Sequence, residues 1–176
     1  LTMLGAARTP ESKDDRAAYR LSPEELDMGL ARLRLGALLL YSFPGSPTVY
    51  YGDEAGMEGF EDPFNRRTFP WGEEDRELTA WFTALGKARN TRPALRRGDI
   101  RYVAAEGHVL ALRRTWEGET VLAAANVGEE PETLPLTRPA RDILTGKIFP
   151  APGDRHMEAV LPPRSALLLV PLKYKG

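Results

Sequence analysis

The sequence predicts two architectures in one chain: an α/β segment over residues 1–95 and an all-β antiparallel sandwich over residues 96–176. Three observations predict it. A strongly signalled helix runs into a tight turn and then a short β-branched and aromatic run, an α/β pattern. A second amphipathic helix follows, with Leu78, Trp81, Phe82, Leu85 and Ala88 on one face. From Arg97 the pattern changes to short strands at regular spacing with turn signals between them, which is the pattern of a sandwich.

The elements are justified in chain order. Residues Thr9 to Leu21 are polar and mixed in charge, and read as an exposed loop. The helix over residues 22–43 begins with Ser22 as cap, Pro23 in the first position and Glu25 three residues after the cap. Leu26, Leu30, Leu33, Ala37 and Leu40 share one of its faces. Its last turn, Leu38 to Tyr41, is apolar nearly all round, so burial on more than one side is expected. Pro44 and Gly45 stop it. Residues 47–51, Pro-Thr-Val-Tyr-Tyr, do not alternate with polar residues, and read as a strand buried on both faces. One strand cannot make a sheet, so its partners are expected outside this sequence.

Residues 53–72 form a long irregular stretch, and connections of that length are often functional. The second helix covers residues 74–90, and Pro93 prevents its continuation. The boundary between the two segments falls between Pro93 and Gly98. Strands are expected at Ile100–Val103, Val109–Arg113, Thr120–Asn126, Thr133–Leu136, Ala140–Leu144, Met157–Leu161 and Ala166–Val170. Glu106-Gly107 and Glu117-Gly118 mark turns between the first three.

Composition narrows the function. Lys plus Arg number 24 against 25 Asp plus Glu, a net charge of −1, which gives no field to hold nucleic acid or an anionic membrane. There is no cysteine, which excludes disulfides, thiolate metal sites and a thiol nucleophile, and leaves the compartment undetermined. The longest apolar run, Leu35 to Phe43, is too short to span a bilayer. Phosphate-loop, dinucleotide, nucleophile-elbow and His-Glu-x-x-His motifs are missing. His108 and His156 sit near expected turns, with no role assigned.

The notable cluster is Asp53, Glu54, Glu58, Glu61, Asp62, Asn65, Arg66 and Arg67. Three readings stand side by side. The charges are solvated loop residues, with Arg66 paired to Asp62. Or they supply oxygens to calcium, though not with the spacing of an EF-hand. Or they bind sugar, because a carboxylate accepts from vicinal hydroxyls and a guanidinium fork donates to them. Phe60, Phe64, Phe69 and Trp71 offer an apolar face to a pyranose ring, or pack the loop. As a self-contained catalytic pair, Asp53 and Glu54 are poorly placed, since adjacent strand residues diverge.

Pro44-Gly45-Ser46-Pro47-Thr48-Val49-Tyr50-Tyr51-Gly52-Asp53-Glu54, Gly56-Met57-Glu58-Gly59, Asp62-Pro63-Phe64-Asn65-Arg66-Arg67 and Phe69-Pro70-Trp71 together resemble the α-amylase family of glycoside hydrolases. Within it the look is that of neopullulanase, cyclomaltodextrinase and maltogenic amylase. Leu112-Arg113-Arg114 and Val121 to Asn126 look like the β-domain after the barrel. The resemblance implies that residues 1–95 are the end of a (β/α)₈ TIM barrel: helix 22–43, strand 47–51, active-site loop 53–72 and helix 74–90. The sandwich follows as residues 96–176.

It also implies a retaining α-glucan hydrolase in which Asp62 and Arg66 contact a glucose unit. Arg67 and Trp71 match the surrounding pattern without a role. The family's catalytic carboxylates come from earlier strands, so no catalytic residue is expected in this chain. A barrel alone takes about 250 residues, so this chain is expected to be a C-terminal part and inactive alone. The expected partners are an α-glucan oligosaccharide and the missing N-terminal barrel portion, or a second copy of the chain. No cofactor is expected, with calcium as the alternative. The rival function is a non-catalytic structural or carbohydrate-binding sandwich, although Tyr102, Trp116 and Tyr174 are scattered rather than set as a platform.

Overall fold

The structure, a computed structural model, describes residues 1–151 and 153–172. Tyr174 lies outside the described residues. Among the described residues five helices come first: α1 (Thr2–Gly5), α2 (Lys13–Ala18), α3 (Pro23–Ser42), α4 (Arg76–Thr91) and α5 (Pro93–Arg97). Eight strands follow: β1 (Asp99–Glu106), β2 (Val109–Trp116), β3 (Glu119–Asn126), β4 (Glu132–Pro135), β5 (Ala140–Asp142), β6 (Ile148–Phe149), β7 (Glu158–Leu161) and β8 (Ser165–Pro171).

The strands form a six-stranded sheet in the order β1-β2-β3-β8-β5-β6 and a two-stranded sheet of β4 and β7. Every pairing among the described residues is antiparallel. The small sheet covers one face of the large one, with Leu134, Ala159 and Leu161 against Ala111, Ala124, Leu167 and Leu169. Helices α3 and α4 cover the other face, with Leu35, Leu38, Phe82 and Leu85 against Leu112, Val121, Ala123, Ala125 and Leu168. Strand β3 lies between both layers, which explains its run Val121 to Asn126. A strand covered on both sides loses polar alternation, and its three alanines let both layers come close.

Two buried polar residues tie the sandwich together, Asn126 across the two sheets and Asp142 within the large one. Asn126 donates to the carbonyls of Glu130, Leu161 and Pro162 at 2.7, 3.1 and 3.1 Å, and accepts from the amide of Gly128 at 2.8 Å. Asp142 accepts from the amides of Leu168, Leu144 and Thr145. Fully satisfied groups of this kind fix one arrangement, because any slip leaves them buried without partners.

The start of α3 is held from three directions. The Ser22 hydroxyl accepts from the Glu25 amide, and Glu25 accepts from the Ser22 amide at 3.0 Å, a reciprocal cap. The same carboxylate accepts from the Ala7 amide and the Tyr19 hydroxyl, both at 2.7 Å. Helix α1 crosses α3 at Gly5, where a Cβ would lie 2.2 Å from the Glu25 carbonyl oxygen. Only glycine permits that approach.

Three expectations are corrected. Residues 47–51 are not buried on both faces: Thr48, Tyr50 and Tyr51 are exposed, Pro47 to Tyr50 join no ladder within the chain, and turns begin at Tyr51. The chain therefore contains no piece of parallel sheet among its described residues. Thr9 to Leu21 is not all loop, because Ser12 accepts from the Asp15 amide at 3.0 Å and starts α2. Pro93 does more than end a helix. It takes the first position of α5, whose Ala94 and Leu95 are buried.

Two outcomes follow from this packing. Leu85 is fully buried between α3 and α4, so Leu85→Ala should cost about 2–5 kcal/mol in urea unfolding followed by circular dichroism. Glu25 is held below its ordinary carboxylate value, first by the Ala7 amide, then by the Tyr19 hydroxyl and the Ser22 amide. A carboxylate depressed in the folded state stabilises it above the unfolded value, and the contribution is lost as pH falls through the folded one. The thermal midpoint should thus decline in acid below about pH 4.3, and Glu25→Gln should lower the neutral midpoint while flattening that decline.

Candidate active-site loop

The loop over residues 53–72 is irregular, but it is anchored at its start and in the middle. The carbonyl of Ala55 accepts from the Asp75 amide at 3.1 Å, and that of Glu54 accepts from the Thr79 hydroxyl at 3.0 Å. These bonds fix its first turn to the start of α4. In the middle, Phe60 is buried edge-on against Tyr19, ring centroids 5.4 Å apart. The Gly59 amide donates to the Thr2 hydroxyl at 2.9 Å, and the Leu21 amide donates to Glu58 at 2.8 Å. Arg67 donates to the carbonyl of Ala17 at 2.8 Å, and Tyr51 donates to that of Arg67 at 3.0 Å. Arg16 of α2 pairs with Glu61. Helix α2 is thus the shelf on which the loop rests.

Asp62 and Arg66 sit at the outer edge of that shelf. Arg66 Nε lies 2.5 Å from Asp62 Oδ1, and the side chains are 67% and 60% exposed. The backbone between them is a pair of turns rather than a helix, with the Phe64 amide donating to Glu61 and the Arg66 amide to Pro63. An exposed pair of this kind contributes roughly 0–1 kcal/mol, so stability does not explain it. The spare donors of Arg66 and the second oxygen of Asp62 face solvent together, a donor–acceptor set suited to vicinal hydroxyls.

The other candidates separate. Glu54 turns back and accepts from the Gly52 amide at 3.0 Å. Asp53 is half-buried, and burial pushes its carboxyl up, with Glu54 adding to it. The two do not act as a pair. Each remaining loop acid has its own partner, and among the described residues no three acids or histidines gather as metal ligands. Phe60 belongs to the packing, not to an open face. Phe69 and Trp71 are in contact, centroids 4.5 Å apart, and Trp71 is 80% exposed. Tyr50 and Tyr51 form a second exposed aromatic pair, centroids 4.9 Å apart. Sequence reading missed that pair because it placed both residues inside a buried strand. Asn65 Oδ1 is buried without a partner, beside a hollow of about 30 Å³ that also touches Tyr50, Asp53 and Glu58. No helix among the described residues is long and apolar enough to cross a membrane.

No protein-family model matches the chain. Among curated proteins it is 41% identical over 114 residues to an amylopullulanase of Thermoanaerobacter thermohydrosulfuricus, covering 65% of this chain and 7% of that protein. It is 36% identical over 132 residues to a cyclomaltodextrinase of Geobacillus thermopakistaniensis, covering 70% of this chain and 22% of the relative. Among solved structures, an Anoxybacillus α-amylase superposes with a TM-score of 0.71 at 32% identity, over 83% of this chain and 34% of the other. An α-amylase of Geobacillus thermoleovorans complexed with acarbose gives 0.71 at 26% identity, over 86% and 37%. The chain therefore spans a small part of the curated relatives and about a third of the solved ones. By sequence and by fold it belongs to the α-amylase family of glycoside hydrolases.

Proposed function

We propose that this chain is the C-terminal portion of an α-glucan-acting hydrolase, and that it supplies sugar-binding residues while the catalytic carboxylates come from elsewhere. The observation that carries the reading is the Asp62–Arg66 pair, presented to solvent on a loop that four separate anchors hold in place. Such a pair adds little to folding, and a fixed donor–acceptor set suits the hydroxyls of a glucose unit. The relatives named for pullulan- and cyclodextrin-type substrates, and the one carrying acarbose, agree in substrate class. Trp71 and Phe69 stand close by in sequence and offer an exposed ring face to the same chain of sugars.

Retaining hydrolysis needs a nucleophile and an acid/base carboxylate about 5 Å apart. Asp53 and Glu54 do not meet that need, because Glu54 is bound to its own turn. The missing carboxylates belong to the preceding barrel portion, which docks on this chain, or a second copy covers the same face. Leu40, Tyr50 and Tyr51 are among the exposed apolar residues available for that contact. The sandwich acts as a brace, since its large sheet shares one apolar core with α3 and α4. That shared core is what favours the second reading, a purely structural module.

Two measurements test this. The purified chain should show no turnover of maltooligosaccharides or cyclodextrin above buffer, and sustained hydrolysis would refute the assignment. In the complete enzyme, Asp62→Ala should lower kcat/KM on short maltooligosaccharides about tenfold or more, near 1.4 kcal/mol, with the melting midpoint held. An unchanged kcat/KM would leave the pair with no role in substrate binding and would favour the structural module.

A further inference from the structure

The sheet face beneath β4 and β7 is covered along only part of its length. On that face β2 presents Val109, Ala111, Arg113 and Thr115 in turn. Val109 and Ala111 are buried in the inter-sheet core, whereas Arg113 is exposed. The register sets Arg113 opposite Arg101 of β1, and Thr115 between Asp99 of β1 and Thr120 of β3. Directly opposed residues of an antiparallel pair share one face, with Cβ atoms about 4.5–5.5 Å apart, and like charges placed so are destabilising. Both arginines line an open groove of about 1090 Å³, together with Thr115, Thr120 and Arg138.

The acids of the groove offset only part of this charge: Arg92, Arg101, Arg113 and Arg138 stand against Asp99, Glu117 and Glu119. Glu119 is committed to Arg92 at 3.2 Å and to the Ala94 amide at 2.8 Å. Asp99 reaches Arg101 only at 3.9 Å, and Glu117 stands at the turn between β2 and β3. Among the described residues Arg113 and Arg138 have no ion pair.

We propose that Arg101 and Arg113 form a site for a phosphoryl oxyanion, either free or esterified to a sugar. A guanidinium fork matches phosphate oxygens two at a time. A multiply charged oxyanion between two such forks turns a repulsive pair into two attractive ones. The threonine hydroxyls beside them add neutral donors. This site is separate from Asp62 and Arg66, whose charges already neutralise each other, and it does not depend on the glucan reading.

The test is calorimetric titration of the purified chain with sodium pyrophosphate, glucose 6-phosphate and maltotriose, at about 20 mM salt. Saturable binding of either phosphate compound is expected, and their relative affinities identify the source of the anion. Arg113→Ala and Arg101→Ala should each weaken binding about tenfold or more. In phosphate-free buffer both variants should keep or raise the melting midpoint, because a like-charge contact is removed. Absence of saturable phosphate binding overturns the proposal, as does equal affinity in the variants. Maltotriose binding as tight as glucose 6-phosphate would assign the groove to neutral sugar and overturn it. A lowered midpoint in the variants would make the pair a structural element, with the same result.

Discussion

Two buried arginines at the end of α3 hold the helical and sheet layers in one body. A helix end leaves its last carbonyls without partners. Here Arg89 of α4 donates to the carbonyls of Tyr41 and Phe43 at 2.7 and 3.0 Å, and also to that of Gly45. Arg114 of β2 donates to the carbonyl of Ser42 at 2.5 Å, to that of Gly98 at 2.8 Å and to that of Asp99 at 3.2 Å. One guanidinium therefore joins α3 to α4, and the other joins α3 to the start of the sheet. Neither has a carboxylate partner among the described residues. Burial lowers the pKa of both, and Arg89 adds to the effect at Arg114. The carbonyls, and the negative end of the helix dipole, take the place of an anion. Hydrogen bonds to charged groups contribute about 1.5–3 kcal/mol each, so this joint outweighs any surface pair in the molecule.

The position of the loop depends on that joint. Residues 44–51 leave the end of α3 through the carbonyls that the arginines hold, Gly45 among them, and lead into the first turn of the loop. The loop's middle is then fastened to α2 and to the start of α3 through Glu58, Glu61 and Arg67. Asp62 and Arg66 are placed by this backbone and not by burial of their own side chains. The sandwich contributes at a distance, by covering the apolar face of α3 and α4.

Legibility followed the range of the interactions. The cap of α3 was readable because Ser22, Pro23 and Glu25 interact within one turn. Most of the strands were readable because Glu106-Gly107 and Glu117-Gly118 announce tight turns, and because β3 has the run of a strand covered on both sides. The short β6 was not expected, and its two residues are too few for a periodic signal. Helix α2 was missed although Ser12 and Asp15 have capping spacing, since no apolar face accompanies them. The charged loop cluster was readable as a group. The pairing of Arg66 with Asp62 was readable from their spacing, but the anchors of the rest were not, because Arg16, Ala17 and Leu21 lie far away in sequence.

By itself the sequence determined the helices with strong caps, the spacing of the sandwich strands, the family relationship and the residues worth testing. All of these rest on interactions within a few residues, or on a motif carried whole. Only the tertiary structure decided that Tyr50 and Tyr51 are exposed, that Phe60 is packing and that Trp71 is open. It alone turned Arg89 and Arg114 from ordinary charges into the joint between layers. A strand exists only where another edge accepts it, and a buried charge only where carbonyls converge on it, and neither condition is written in local sequence.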